Sequence, residues 1–210
     1  MMPKYYEQIQ GWADDIVKLY QKMVDISQDG AVFLEIGTWI GRSTIYMGEA
    51  IKESNKNIHL YSIDSGTGSP EHKEYIQRYH NNVASILTHH IVEADLCSYI
   101  TYIMGRSEIE VKLFADNSLD FVFIDGDHSS EAIARDINMW WPKVKEGGVL
   151  AGHDYYVSGY HTHEYIYHPD IKNVVDTTYP GLTVMVGDHT SSCWGVRKSN
   201  NKPISLDFTT

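Results

Sequence analysis

The chain is short of cysteine, of positive charge and of long apolar runs. Among its 210 residues, Cys97 and Cys193 are the two cysteines. Thiols so far apart give neither a disulfide framework nor metal-knuckle spacing, and two reduced thiols in a cytoplasmic protein are the simpler account. Lys and Arg number 17 against 28 Asp and Glu, a net charge of −11. A phosphate backbone needs a basic face, so nucleic acid is not an expected partner, and an anionic membrane surface fits poorly too. No apolar stretch approaches bilayer-spanning length. The opening MMPKYYEQIQGW lacks the apolar centre of a secretory leader. These absences predict a soluble cytoplasmic chain. Its length suits one α/β domain with a real core and is short for two.

What is present is alternation. Trp12, Ile16, Leu19, Tyr20, Met23 and Val24 recur at helical spacing before Gly30. AVFLEI (31–36), IHLYSI (58–63), YITYIM (99–104), LDFVFI (119–124) and GGVLAG (147–152) read as strands, the continuous apolar runs suiting strands buried on both faces of a parallel sheet. Between them lie helical patterns: one through Ile40, Thr44, Met47 and Ile51; one over 69–87, opened by Pro70; a short one over 107–114; and a stripe of Ile133, Ile137, Trp140, Trp141 and Val144. The two tryptophans fit helix packing. Asp127, Ser129 and Ser130 can all cap that last helix, with Asp127 the first choice. Residues 153–169 are a loop rich in Tyr and His, 170–179 a further helix, and 182–186 and 191–198 an antiparallel pair joined by GDHT. The pattern predicts one domain over 1–210: a helical segment at 1–30, a core at 31–198 and a loosely held tail from 199. The fold class is α/β, a doubly wound, mostly parallel seven-stranded sheet with a C-terminal antiparallel hairpin.

In such a sheet, ligands bind at the carboxyl ends of the strands. The first strand ends in LEIGTWIGRST. Gly37 and Gly41 bracket a turn that lets backbone approach a ligand. Trp39 stands where a dinucleotide fingerprint has its middle glycine, and the lysine of a P-loop is absent. The turn therefore suits a nucleoside without a phosphate chain, although such a turn can also simply join strand to helix. Glu35, an acid inside a buried strand, needs a partner, and a cationic ligand group would supply one. Asp64 ends the second strand, placed to hold ribose hydroxyls or to shape the turn DSGTGS. The fourth strand ends in FIDGDH (123–128), whose acids and histidine can start a helix, hold a metal or move a proton.

The motif LEIGTWIGRS resembles the first motif of class I S-adenosylmethionine-dependent methyltransferases, closest to the catechol and caffeoyl-CoA O-methyltransferase group. SLDFVFIDGDHSSEAIARDINMWWPKVKEGGVLAGHDY resembles a broader set of small methyltransferase domains. The likeness spans roughly 31–198. It implies a Rossmann-like fold, an S-adenosylmethionine cofactor and a small-molecule hydroxyl as acceptor. It implies that Glu35, Gly37 and Gly41 shape the methionine side of the pocket. Ser43 would meet the cofactor carboxylate and Asp64 the ribose. In GRSE (105–108), Ser107 and Glu108 would lie beside the adenine, with Glu108 replacing the usual Gln. Asp125 matches an acid that binds a divalent metal and also lines the cofactor cleft, while His128 stands in for a lysine general base. His153 and Asp154 stand in for an Asp–Asn metal pair. The expected metal set is Asp125, His153 and Asp154, holding Mg²⁺, Mn²⁺ or Zn²⁺, unless Asp125 serves cofactor or substrate alone and His153 is structural. His161, His163 and His168 sit in YHTHEYIYH, as a surface lid or a His-x-His metal pair. A nicotinamide-dependent oxidoreductase, a metal-dependent hydrolase and a nucleoside-binding module are the competing readings. A homo-oligomer is compatible with all of them.

Overall fold

The computed structural model describes residues 4–11, 13, 16–68, 73–78, 82–155, 169–182 and 193–206. Seven strands form one sheet: β1 (Val32–Ile36), β2 (His59–Asp64), β3 (Ile100–Met104), β4 (Leu119–Ile124), β5 (Val144–Gly152), β6 (Trp194–Ser199) and β7 (Lys202–Ser205). Their order is β3-β2-β1-β4-β5-β6-β7. The first five are parallel; β6 runs antiparallel to β5, and β7 to β6. Among the described residues the helices are α1 (Val17–Ile26), α2 (Arg42–Ser54), α3 (Lys73–Arg78), α4 (Val83–Glu93), α5 (Ser107–Glu110), α6 (Ser130–Trp140) and α7 (Pro169–Thr178).

The apolar runs form strands because both faces are covered. Phe33, Phe121 and Phe123 point to one side, where they share a core with Leu19, Tyr20 and Met23 of α1 and Ile45 and Met47 of α2. Leu34, Ile36, Val122 and Ile124 point to the other, against Ile133, Ile137 and Trp140 of α6 and Ile171 and Val175 of α7. Successive residues of a strand face opposite ways, so a continuous apolar run serves two cores at once. The Tyr20 ring meets Phe123 edge-on at 4.9 Å between centroids, a favourable aromatic geometry. The carboxyl end of α1 is closed by Lys56. Its ammonium donates to the carbonyls of Val24, Asp25 and Ser27 at 2.7, 2.7 and 3.0 Å, satisfying orphan acceptors at the negative end of the helix dipole.

Four expectations change. The helix expected over 69–87 is two: α3, and then α4, which the Asn82 side chain caps by accepting from Ser85 N at 3.2 Å; Pro70 lies outside the described residues. Val144 is not the end of the preceding helix but the start of β5, because Pro142 turns the chain after Trp140 into a 3₁₀ segment. Ser129, not Asp127, caps α6, accepting from Ala132 N at 3.4 Å, while Asp127 Oδ1 accepts from Ser129 N at 2.9 Å and props the turn before it. Residues 199–206 are no loose tail: Asn200 and Asn201, at φ 51° and 62°, make a two-residue turn into the edge strand β7, the hairpin geometry that matches strand twist. The pairing expected between 182–186 and 191–198 falls largely outside the described residues.

Candidate active site

The strand order changes direction between β1 and β4, so the crevice past their carboxyl ends is where this kind of sheet binds ligands. The loop after β1 is fixed from two sides. Gly37 takes φ 81°, and a Cβ there would stand 1.9 Å from the Asp125 carbonyl oxygen, so only glycine lets the β1 and β4 loops cross. Asp64, at the end of β2, accepts from Thr38 N at 2.8 Å and Trp39 N at 3.2 Å through Oδ2, and from Gly66 N at 2.7 Å through Oδ1. These bonds fill three of the roughly four acceptor positions of a carboxylate. Asp64 thus braces two loops and keeps room for about one more donor, short of the two ribose hydroxyls that the resemblance implies. Gly41 caps α2 at φ 98°.

Glu35 needs no ligand cation. It is 1 % exposed. Tyr20 Oη donates to its Oε1 at 2.9 Å, Thr44 Oγ1 donates to its Oε2, and the Ser43 hydroxyl bonds it as well. Burial raises its carboxyl, the three hydroxyls oppose that, the Asp125 charge adds to it, and the result is a pKa raised to about 7. Ser43, placed by sequence against the cofactor, is itself buried with its hydroxyl on Glu35. Ser107 is likewise absorbed by packing. Its Oγ donates to Asp136 Oδ1 and accepts from Trp140 Nε1, both at 2.8 Å, locking α5 to α6. Glu108 accepts from its own backbone N–H and pairs with Arg106, which hold its carboxyl below the usual range.

The ends of β4 and β5 are different. The ladder continues one step past the Ile124–Gly152 pair, with His153 N donating to Ile124 O at 3.1 Å, and Asp125 N donates to Ile36 O at 2.7 Å. Asp154 follows in left-handed conformation at φ 58°, uncommon for a residue with a side chain. Four titratable groups meet here. His128 Nε2 is 3.2 Å from Asp154 Oδ2 and 4.0 Å from Asp125 Oδ1. His153 Nδ1 is 3.3 Å from Asp154 Oδ1 and 3.6 Å from Asp125 Oδ1. Burial works to raise both carboxyls, but the two imidazoles outweigh it and hold Asp125 and Asp154 below the usual range. Burial likewise works to lower His128, yet its bonds to Asp125 and Asp154 push it up to about 10. Placed so, the His128 imidazole is favoured in its protonated form, which argues against the general-base role that its position in the sequence suggests.

One ligand atom from each of Asp125, His128 and Asp154 lies within 4.8 Å of the others, a metal-binding spacing. The set expected from sequence had His153 in place of His128. A cavity of ≈ 10 Å³ sits beside the cluster, lined by Asp125, His128, His153, Ile133, Ile171 and Trp194, about the space of one water or ion. A cavity of ≈ 330 Å³ at the opposite, amino end of the sheet, lined by Lys22, Asp120, Glu146 and Arg197 among others, touches none of the sequence candidates. His161, His163 and His168 lie outside the described residues. Sequence reasoning missed the hydroxyls around Glu35, and it missed Asp136. That acid was legible as a carboxylate on the apolar stripe of α6, one turn from Ile133 and Trp140.

Residues 34–155 match the family model described as a methyltransferase domain. The chain belongs to that family. The matched span takes in the loop after β1, Asp64 and all four members of the Asp–His cluster. The methyltransferase domain also resembles solved structures. An O-methyltransferase from Bacillus cereus in complex with SAH shares 18% identity at a TM-score of 0.64, with 94% of this chain and 93% of that one aligned. Cofactor-bound Rv0187 from MTB shares 16% at 0.63, covering 91% and 84%. The O-methyltransferase NovP shares 17% at 0.61, covering 88% and 80%. At such identities the likeness speaks for the Rossmann-like methyltransferase fold alone.

Proposed function

We propose that this methyltransferase domain uses S-adenosylmethionine to methylate a hydroxyl of a small molecule, with a divalent cation held by Asp125 and Asp154 on the acceptor side. One juxtaposition carries the reading: the glycine turn after β1 meets the acid–imidazole cluster after β4 and β5, so that a cofactor loop and a proton-handling group share one crevice. The SAH complex of the B. cereus protein supports the cofactor, and the two O-methyltransferase neighbours support an oxygen acceptor. The residues fit the cofactor where Gly37 lets backbone come close and the start of α2 offers its N–H groups to a carboxylate. Asp64 contributes its remaining acceptor position to the ribose. When bound, the cofactor supplies an electrophilic methyl group on a sulfonium sulfur. An acceptor hydroxyl placed in line with that carbon would give up its proton to the cluster of Asp125, Asp154, His128 and His153, whose carboxylates and imidazoles stand beside it. Positioning supplies much of the rate in such a transfer.

The charge of −11 supports a small molecule over a nucleic acid as acceptor. No helix among the described residues is long and apolar enough to cross a membrane, and Cys97 and Cys193 are not joined in a disulfide; a cytoplasmic place of work is part of the proposal. Calorimetry of the full chain with S-adenosylmethionine, S-adenosylhomocysteine and NAD tests the cofactor. Micromolar binding of the first two and none of NAD is expected. NAD binding without response to the others would favour the oxidoreductase and overturn the proposal.

A further inference from the structure

We propose that His128, not His153, is the nitrogen ligand of a transition-metal site at the ends of β4 and β5, and that this site takes Mn²⁺ or Zn²⁺ ahead of Mg²⁺. The inference deepens the functional reading above and rests on it for the purpose of the metal, though not for its chemistry.

Three donors converge from two loops. Asp125 follows β4, Asp154 follows β5, and His128 stands on the turn into α6. Ligand atoms about 2.0–2.2 Å from one ion stand about 3–4 Å apart. His128 Nε2 is 3.2 Å from Asp154 Oδ2 and 4.0 Å from Asp125 Oδ1, within that span. Two carboxylates balance a dication, with the imidazole entering as a neutral ligand whose proton is displaced. A nitrogen donor disfavours Mg²⁺, which demands oxygens, and favours first-row transition ions.

His153 has a different place. Its Nδ1 faces Asp154 Oδ1, the oxygen opposite the one that His128 approaches, and Asp125 Oδ1. At 3.3 and 3.6 Å it is within ligand spacing too, but the three donor atoms that lie within 4.8 Å of one another are those of Asp125, His128 and Asp154, which leaves His153 to hydrogen-bond and orient the carboxylates. The scaffold holds two of the three ligands. Asp125 N is tied to Ile36 O, and Asp127 Oδ1 fixes the turn that carries His128 through Ser129 N. Beside Asp125 and His128, Ile133, Ile171 and Trp194 give the ≈ 10 Å³ cavity an apolar wall.

The test uses EDTA-stripped full-length protein and Mn²⁺ alone, with binding read from the EPR signal of free Mn²⁺. One equivalent should bind, a hundredfold excess of Mg²⁺ should not displace it, and pulsed EPR should show coupling to an imidazole nitrogen. His128→Ala should weaken Mn²⁺ about a hundredfold and erase that coupling, whereas His153→Ala should weaken it no more than about tenfold and keep it. Should His128→Ala fail to fold, His128→Gln and the wild-type coupling decide the matter. No Mn²⁺ binding, no nitrogen coupling, equal preference for Mg²⁺, or loss of the coupling in His153→Ala but not His128→Ala would overturn the site. Calorimetry with S-adenosylmethionine on the same samples separates the two proposals. Mn²⁺ bound without cofactor binding supports the metal site and rejects methyl transfer; cofactor bound without Mn²⁺ does the reverse.

Discussion

At the ends of β1 and β2, the acids Glu35 and Asp64 are engaged by hydroxyls and backbone N–H groups of the chain itself, whereas at the ends of β4 and β5, Asp125 and Asp154 face two imidazoles. Both acid pairs sit on the same rim of one sheet. The first pair shapes loops, and its charges are answered before any ligand arrives. The second pair gathers titratable groups against one another, an arrangement that costs folding energy and is retained where chemistry needs it. On the proposed reading, position along the rim separates acids that shape the cofactor loops from acids that handle the acceptor.

The comparison breaks most visibly at Asp125. Asp125→Ala is expected to cut methyl transfer by about a thousandfold while leaving S-adenosylhomocysteine affinity within about tenfold, as measured by single-turnover rates and calorimetry. A large loss of cofactor affinity with little loss of rate would move Asp125 into the scaffold half.

Glu35 gives the next largest effect, on stability. Its carboxyl is raised to about 7 in the folded chain from an ordinary value of 4.5. The folded state binds that proton more tightly, so its contribution is fully present below about pH 4.5 and is lost as pH rises through about 7. The loss is on the order of 3 kcal/mol. Urea unfolding between pH 5 and 8.5 should show this fall in the wild type and a flatter curve in Glu35→Gln. Parallel curves would mean that Glu35 ionises as freely folded as unfolded.

Ser107 sharpens the contrast at smaller scale. Ser107→Ala leaves the Trp140 N–H and the Asp136 carboxylate each short of a partner, so about 1–3 kcal/mol of stability should go. Cofactor affinity should hold. Unchanged stability with a tenfold drop in affinity would return Ser107 to the adenine side, where the resemblance puts it.

The sequence carried the fold far because β1, β4 and β5 are buried on both faces, and a strand so placed must be a continuous apolar run. It carried less where an element is short or polar. Lys202–Ser205 alternates exposed and half-buried residues, so β7 has no apolar run to announce it. Asn82 caps the start of α4 within the stretch read as one helix, and a polar cap inside a helical pattern is easily taken for part of it. At the site, strand-end logic found Glu35, Asp64, Asp125, His153 and Asp154 as positions. Their partners came from far away in the chain: Tyr20 reaches Glu35 from α1, and Asp136 reaches Ser107 from α6. The exchange of roles proposed for His128 and His153 was hidden for a further reason. It depends on the left-handed backbone at Asp154, which turns one carboxylate between both rings.

The edge strand β7 has one more consequence. Pro203 has no N–H to give, and Lys202 puts a charge at the strand's start, two devices that discourage a neighbouring molecule from adding a strand. β3, at the opposite margin of the described sheet, contains neither proline nor charge. Among the described residues, growth of the sheet across molecules is discouraged at β7, while the β3 strand carries neither of those two devices.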